Sequence, residues 1–167
     1  LIPNTNYFWR ARSVNSNGTS WAPATIPFTT NAKAPVFLNE IHYDPADHTK
    51  RVEFIELWNP STTPVDISGW MITGPVDYTF PGPTILGANA YLVVAENPTA
   101  LSGYYSVTGT PLGPWAGVLP NGSGQIVLRD AAYTQVDDAD YRQGFPWPTM
   151  AAGGGASAEL INPGLEN

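Results

Sequence analysis

Proline or glycine interrupts almost every stretch of this chain long enough to form a helix. Seventeen Pro and 16 Gly stand among its 167 residues. A proline inside a helix removes a hydrogen bond and clashes with the preceding turn, at about 3 kcal/mol, and an interior glycine costs about 1 kcal/mol. The stretches that escape them alternate with period two, the period of a strand. Residues 7–14, 25–30, 36–43, 52–58, 65–67, 70–73, 78–80, 90–95, 125–129, 135–141 and 158–161 therefore read as strands. Turn signals separate them: Asn15-Ser16-Asn17-Gly18, Asp44-Pro45, Asn59-Pro60, Ser68-Gly69 and Gly74-Pro75. Pro27 confines its strand to an edge or a bulge. Only residues 97–101 predict a helical turn. Many short strands with closely spaced turns predict an all-β sandwich or barrel.

Composition narrows the function classes. Hydrophobic residues make up 43% of the chain, enough for a core, and charged residues only 13%, which argues against a coiled coil. No apolar run approaches the roughly 18 residues of a membrane span. With no Cys, disulfides, thiol nucleophiles and zinc–thiolate sites are excluded. Seven Lys and Arg against 14 Asp and Glu leave a net charge of -7. Nucleic acids are held mainly by basic groups on phosphates, and anionic membranes likewise attract basic segments, so both are disfavoured as partners. The chain opens on an already patterned segment, as expected of an excerpt from a longer protein.

Two sets of motifs carry family resemblances. Leu1, Pro3, Thr5, Tyr7, Trp9, Arg10, Ala11, Val14, Asn15 and Gly18 make residues 1–30 resemble the end of a fibronectin type III domain. That resemblance implies a terminal hairpin, with Tyr7 in the family's corner position. Residues 36–163 resemble the lamin tail domain of bacterial secreted proteins. The carrying motifs are Asn39-Glu40-Ile41, Glu53-Phe54-Ile55-Glu56-Leu57-Trp58-Asn59-Pro60 and Val65-Asp66-Ile67-Ser68-Gly69-Trp70. Tyr78-Thr79-Phe80-Pro81, Tyr91-Leu92-Val93-Val94-Ala95, Val127-Leu128-Arg129-Asp130, Asp140-Tyr141, Pro146-Trp147-Pro148 and Ser157-Ala158-Glu159-Leu160 follow in order. This resemblance implies an immunoglobulin-like antiparallel β-sandwich over 36–167, joined to the hairpin by a linker at 31–35. It also implies an extracellular or cell-surface location beside other domains of one chain.

The expected core is Leu38, Ile41, Ile55, Leu57, Ile67, Trp70, Phe80, Leu92, Val94, Val127, Leu128 and Leu160. Leu38 and Ile41 differ in strand parity, so burying both requires a bulge between them. On the hairpin, Tyr7 and Trp9 are expected to be more exposed than the tryptophans of the main domain.

The densest chemistry lies in Glu40, Asp44, Asp47, Glu53 and Glu56, with His42 and His48 nearby. Glu53 and Glu56 have odd spacing and fall on opposite strand faces, which argues against a simple catalytic pair. The irregular turn at Asp44 offers oxygen ligands, so Asp44, Asp47 and Glu53 form a candidate Ca²⁺ site; no other cofactor is expected. Asp137, Asp138 and Asp140 read as a charged, solvated edge strand, with Asp138 and Asp140 on one face. Gly153-Gly154-Gly155 lacks the lysine of a phosphate loop, and no Gly-x-Ser-x-Gly elbow occurs. Trp58, Trp70, Trp115 and Trp147 lie in or beside the motifs and read as core. Trp21, Tyr104 and Tyr105 lie outside them, in segments read as loops, and form a candidate binding surface. Taken with the lamin tail resemblance, which implies the extracellular bacterial setting, these features predict a non-catalytic interaction, adhesion or spacer module of a larger extracellular bacterial protein, with a protein or cell-surface polysaccharide as partner. The alternative is a carbohydrate-binding accessory domain attached to a secreted hydrolase.

Overall fold

A computed structural model of the chain describes residues 6–16, 18–29, 35–107, 109–144 and 147–161. Leu1, Pro3, Thr5, Asn17, Pro146, residues 162–167 and all but Pro35 of the expected linker lie outside them. The chain divides into two compact units, 1–34 and 35–167.

The first unit is a hairpin broken midway. β1 (Asn6–Trp9) pairs with β4 (Ile26–Thr29), and β2 (Arg12–Asn15) with β3 (Gly18–Trp21). Pro27 stands opposite Phe8 on this two-stranded ladder, where its missing donor harms no third strand. Trp21 ends β3 rather than lying in a loop, because its side chain has partners. The Arg10 and Arg12 guanidinium carbons lie 5.6 and 5.5 Å from its ring centre. Tyr7 stacks on Phe28 at 5.7 Å. Trp9 and Trp21 are each 51% exposed, against 7% for Trp70 and Trp115 in the second unit.

The second unit contains β5 (Phe37–His42), β6 (Phe54–Asn59), β7 (Val65–Asp66), β8 (Met71–Thr73), β9 (Val76–Thr79), β10 (Ile85–Leu86) and β11 (Ala90–Ala95). Helix α1 (Pro98–Tyr104) follows, then β12 (Ala116–Gly117), β13 (Ser123–Arg129), β14 (Gln135–Arg142), a 3₁₀ turn (Thr149–Ala151) and β15 (Ala158–Glu159). The strands form a four-stranded sheet in the order β11-β6-β5-β15 and a five-stranded sheet in the order β12-β9-β8-β13-β14. A short β7–β10 ladder stands apart, and every strand pair is antiparallel.

Both sheets turn their inner faces to one core. Leu38, Ile41, Ile55, Leu57 and Val94 come from the first sheet, and Ile72, Val76, Ile126, Leu128 and Tyr141 from the second. Leu38 and Ile41 are both buried because Leu38 pairs with Leu57 while Glu40 pairs with Glu56, leaving Asn39 as the extra residue of a bulge. Ile67, Trp70 and Phe80 are buried as expected, whereas Leu92, Val127 and Leu160 are half-buried. Val127 cannot share a face with its neighbour Leu128; Ile126 takes the core position instead. Trp58 and Trp147 are likewise only half-buried.

The charged run on β14 splits across the two faces of an edge strand. Asp138 and Asp140 point outward, but Asp137 is buried and accepts a 2.9 Å hydrogen bond from the Leu38 amide of the other sheet. At Gly74, φ is 130°, and a Cβ would lie 2.3 Å from the Gln125 carbonyl oxygen, so the β8–β9 turn requires glycine.

Asn59 closes β6. Its Nδ2 donates to the Thr63, Leu86 and Gly87 carbonyls at 2.9, 3.2 and 2.9 Å. Its Oδ1 accepts from the Ser61 amide and hydroxyl at 3.1 and 2.7 Å. Replacing it strands several buried groups at once. Asn59→Ala is expected to lower unfolding free energy by about 2–4 kcal/mol in urea titration; a loss within about 0.5 kcal/mol, the range of an ordinary surface substitution, would show the bonds to be dispensable.

Candidate functional site

Strand alternation sends Ile55 and Leu57 inward and Phe54, Glu56 and Trp58 to the outer face of the four-stranded sheet. The bulge at Asn39 puts Glu40 on that same face, opposite Glu56, and β15 sets Glu159 opposite Glu40. Three carboxylates therefore stand in a row across β6, β5 and β15. Asn39 Nδ2 donates to Glu56 Oε1 at 2.9 Å, and the Ser157 hydroxyl donates to Glu40 Oε1. Burial raises the Glu56 pKa, the Asn39 bond opposes it, and the charges of Glu40 and Glu159 raise it further.

Part of the outer face is roofed by α1. Asn97 caps this helix, its side chain accepting from the Ala100 amide at 3.0 Å, and Pro98 fits the first turn. The helix runs further than the turn expected at 97–101, so Tyr104 is its last residue and Tyr105 its C-cap, not loop residues. Leu101 packs with Val52 and Ala95, and Phe54, Val93, Tyr105 and Val107 complete that cluster. The uncovered remainder is a groove of about 730 Å³ lined by Glu40, Glu56, Glu159, Phe54, Tyr91 and Val107, among others. Tyr91 is 54% exposed and stacks on Trp58, centroids 5.9 Å apart and planes 7° from parallel.

The residues singled out in the sequence are not gathered together. Tyr104 is exposed, whereas Tyr105 is half-buried, with its hydroxyl 3.2 Å from His42 Nε2. His42 is buried against Phe54, and burial lowers its pKa against the opposing effects of the Ala156 backbone and Asp44. Trp21 belongs to the separate hairpin unit. The three carboxylates of the candidate Ca²⁺ site each have a different partner. Asp44 is buried, accepts from Asn121 Nδ2 at 2.5 Å and lies 3.0 Å from His48 Nε2. Asp47 accepts from the Thr49 hydroxyl and amide at 2.6 and 3.0 Å, which lowers its pKa. Glu53 points toward the Leu119 amide, 3.4 Å from Oε2. Among the described residues, no group of three His, Cys, Asp or Glu side chains is arranged to hold a metal ion. Sequence reasoning missed Glu159 and Tyr91, since only the register of β15 and β11 places them on this face.

Glu53 carries the largest carboxylate displacement. Burial pushes its pKa up to about 7, Glu96 and Asp44 add to the rise, and the Leu119 amide and Arg51 oppose it. A raised carboxylate pKa means that the folded state holds a proton the unfolded state has released. Stability through this group is therefore constant below about pH 4.5, declines as pH rises, and levels off above about pH 7. At about 1.36 kcal/mol per pH unit the displacement corresponds to roughly 3–4 kcal/mol, which solvent screening reduces to about 2–3 kcal/mol. Glu53→Gln is expected to stabilise the chain more at pH 8 than at pH 4.5 by that amount, measured by urea unfolding. An equal effect at both values would mean that Glu53 does not titrate in this range.

Comparison with curated proteins gives no match. A family model described as Lamin Tail Domain matches residues 29–143, more than half of the chain. The match runs through the two-sheet sandwich, from the residues before β5 to the end of β14 and one residue beyond. That coverage, together with the all-β antiparallel architecture, makes the second unit an immunoglobulin-like β-sandwich and places this chain in the lamin tail domain family.

Proposed function

We propose that this chain is a non-catalytic interaction module of a larger extracellular bacterial protein, engaging a protein or cell-surface partner as an adhesion or spacer element. The observation that carries the reading is the groove on the four-stranded sheet. It presents an exposed aromatic and three carboxylates on one face of a sheet. Membership of a family of non-enzymatic modules supports it. The hairpin fits the end of a fibronectin type III domain, with neighbouring domains of the same protein as its natural surroundings. Trp21 and Tyr104 are exposed and available as secondary contacts.

One observation favours the carbohydrate-binding alternative, in which the module serves an attached hydrolase. The parallel Trp58–Tyr91 stack leaves half of Tyr91 open, a surface suited to the face of a sugar ring. The two readings separate on a glycan array probed with the whole chain, run beside a hydrolysis assay on the same glycans. The expected result is no turnover and no retained glycan. A glycan held by the chain and released by Tyr91→Ala would move the conclusion to the accessory domain. Turnover would overturn both.

A further inference from the structure

Resting on the interaction-module reading, we propose that the groove over β6, β5 and β15 takes an extended, lysine- or arginine-bearing peptide segment of a protein partner. Charge complementarity on a defined surface supports this occupant. Glu40 stands opposite both Glu56 and Glu159, and like charges directly opposite on adjacent strands destabilise a sheet. Among the described residues, no Lys or Arg lines the groove. The basic groups of the second unit are engaged elsewhere. Arg51 pairs with Glu96 at 2.7 Å and Arg142 with Asp140 at 2.6 Å, Arg129 lies 4.6 Å from the Tyr133 ring centre, and Lys50 acts on Asp47. Among the described residues the row is thus a negative stripe, with Glu40 and Glu56 half-buried and Glu159 exposed.

Its shape selects among cations. Side chains on neighbouring strands stand about 5 Å apart, so the row spans roughly 10 Å, too spread for one ion to meet all three carboxylates. Consistent with this, the described residues contain no metal-type cluster. An extended peptide presents alternate side chains to one side about 7 Å apart, which matches a row of this length with two cationic groups. Beside the carboxylates, Phe54, Val93 and Val107 give apolar wall for the methylene stems of Lys or Arg. A neutral sugar would gain from Tyr91 but leave the carboxylate repulsion in place.

The experiment titrates the whole ¹⁵N-labelled chain with a capped Lys-Thr-Lys-Thr-Lys-Thr peptide, and with the Glu-for-Lys and Gln-for-Lys versions. Only the lysine peptide is expected to bind saturably, shifting amides of β5, β6 and β15, with affinity falling as NaCl rises. The triple variant Glu40→Gln, Glu56→Gln and Glu159→Gln should bind about tenfold or more weakly. Its thermal midpoint should stay at or above that of the parent, since repulsion is removed. Asp138→Asn with Asp140→Asn, on the other sheet, controls for net charge and should bind as the parent does. Glu40→Lys with Glu159→Lys should transfer preference to the glutamate peptide, a gain that misfolding cannot imitate. Shifts mapping elsewhere, equal losses in the triple variant and the Asp control, or no saturable binding would each overturn the proposal. If the lysine peptide fails while another surface of the chain binds a protein partner, the groove assignment falls and the interaction-module reading stands. Hydrolysis of a bound glycan would remove that reading as well.

Discussion

One residue that β5 has and β6 lacks governs the four-stranded sheet. Without the bulge at Asn39, strict alternation would put Leu38 and Ile41 on opposite faces and leave one of them in solvent. With it, both apolar residues reach the core and Glu40 comes to stand beside Glu56. The same residue then holds its surroundings. Its side chain donates to Glu56, and its carbonyl accepts the Leu160 amide at 2.7 Å, anchoring the end of β15. One position before it, the Leu38 amide turns to Asp137 of the opposite sheet. A bulge interrupts its ladder locally, and here the displaced groups tie the two sheets together.

Buried polar groups between the sheets are held by specific partners. Tyr43 and Tyr141 stack at 4.4 Å between the sheets, and the Tyr141 hydroxyl donates to the Pro120 carbonyl at 3.0 Å. Around them Asp44 takes Asn121, and Glu53 faces the Leu119 amide. The β5–β6 connection is thereby clasped to the segment before β13 through two carboxylates of unequal circumstance. Asp44 has two close polar side-chain partners, whereas Glu53 has one long bond and two acidic neighbours. That asymmetry is the physical reason for the Glu53 displacement, and it makes this corner a source of fixed geometry more than of net stability.

Much of the fold was legible because strands of six to eight residues carry enough alternation to reveal a face. β11 matches its expected limits, and the need for a bulge followed from the parity of Leu38 and Ile41 alone. Two-residue strands such as β10 and β12 carry no periodicity, so nothing in their sequence could announce them. Val127 was misplaced because an apolar run was read as uniformly inward, though the chain must alternate through it. Asp137 was read with its neighbours as solvated, although its parity already set it apart. The groove was half legible: Glu40 and Glu56 stood out as acidic, but their neighbour Glu159 arrives from the far end of the chain. No short-range pattern encodes that pairing. The acidic turn at Asp44 drew attention for its density, yet each carboxylate there is satisfied by a separate partner, and density alone carries no convergence.

The exposed edges of the larger sheets are treated differently, and this bears on how such a chain behaves when crowded. β14 is eight residues long, the sort of edge that invites pairing with another copy, but it displays Asp138, Asp140 and Arg142 along its outer face. β15 offers only two residues, too few to template a new strand. On the opposite edge of its sheet, β11 is already occupied at Val94 by a parallel bridge to Leu112. Open backbone is thus either charged, shortened or plugged. A domain built this way can be repeated along one polypeptide, at millimolar local concentrations, without neighbouring copies zipping together into continuous sheets.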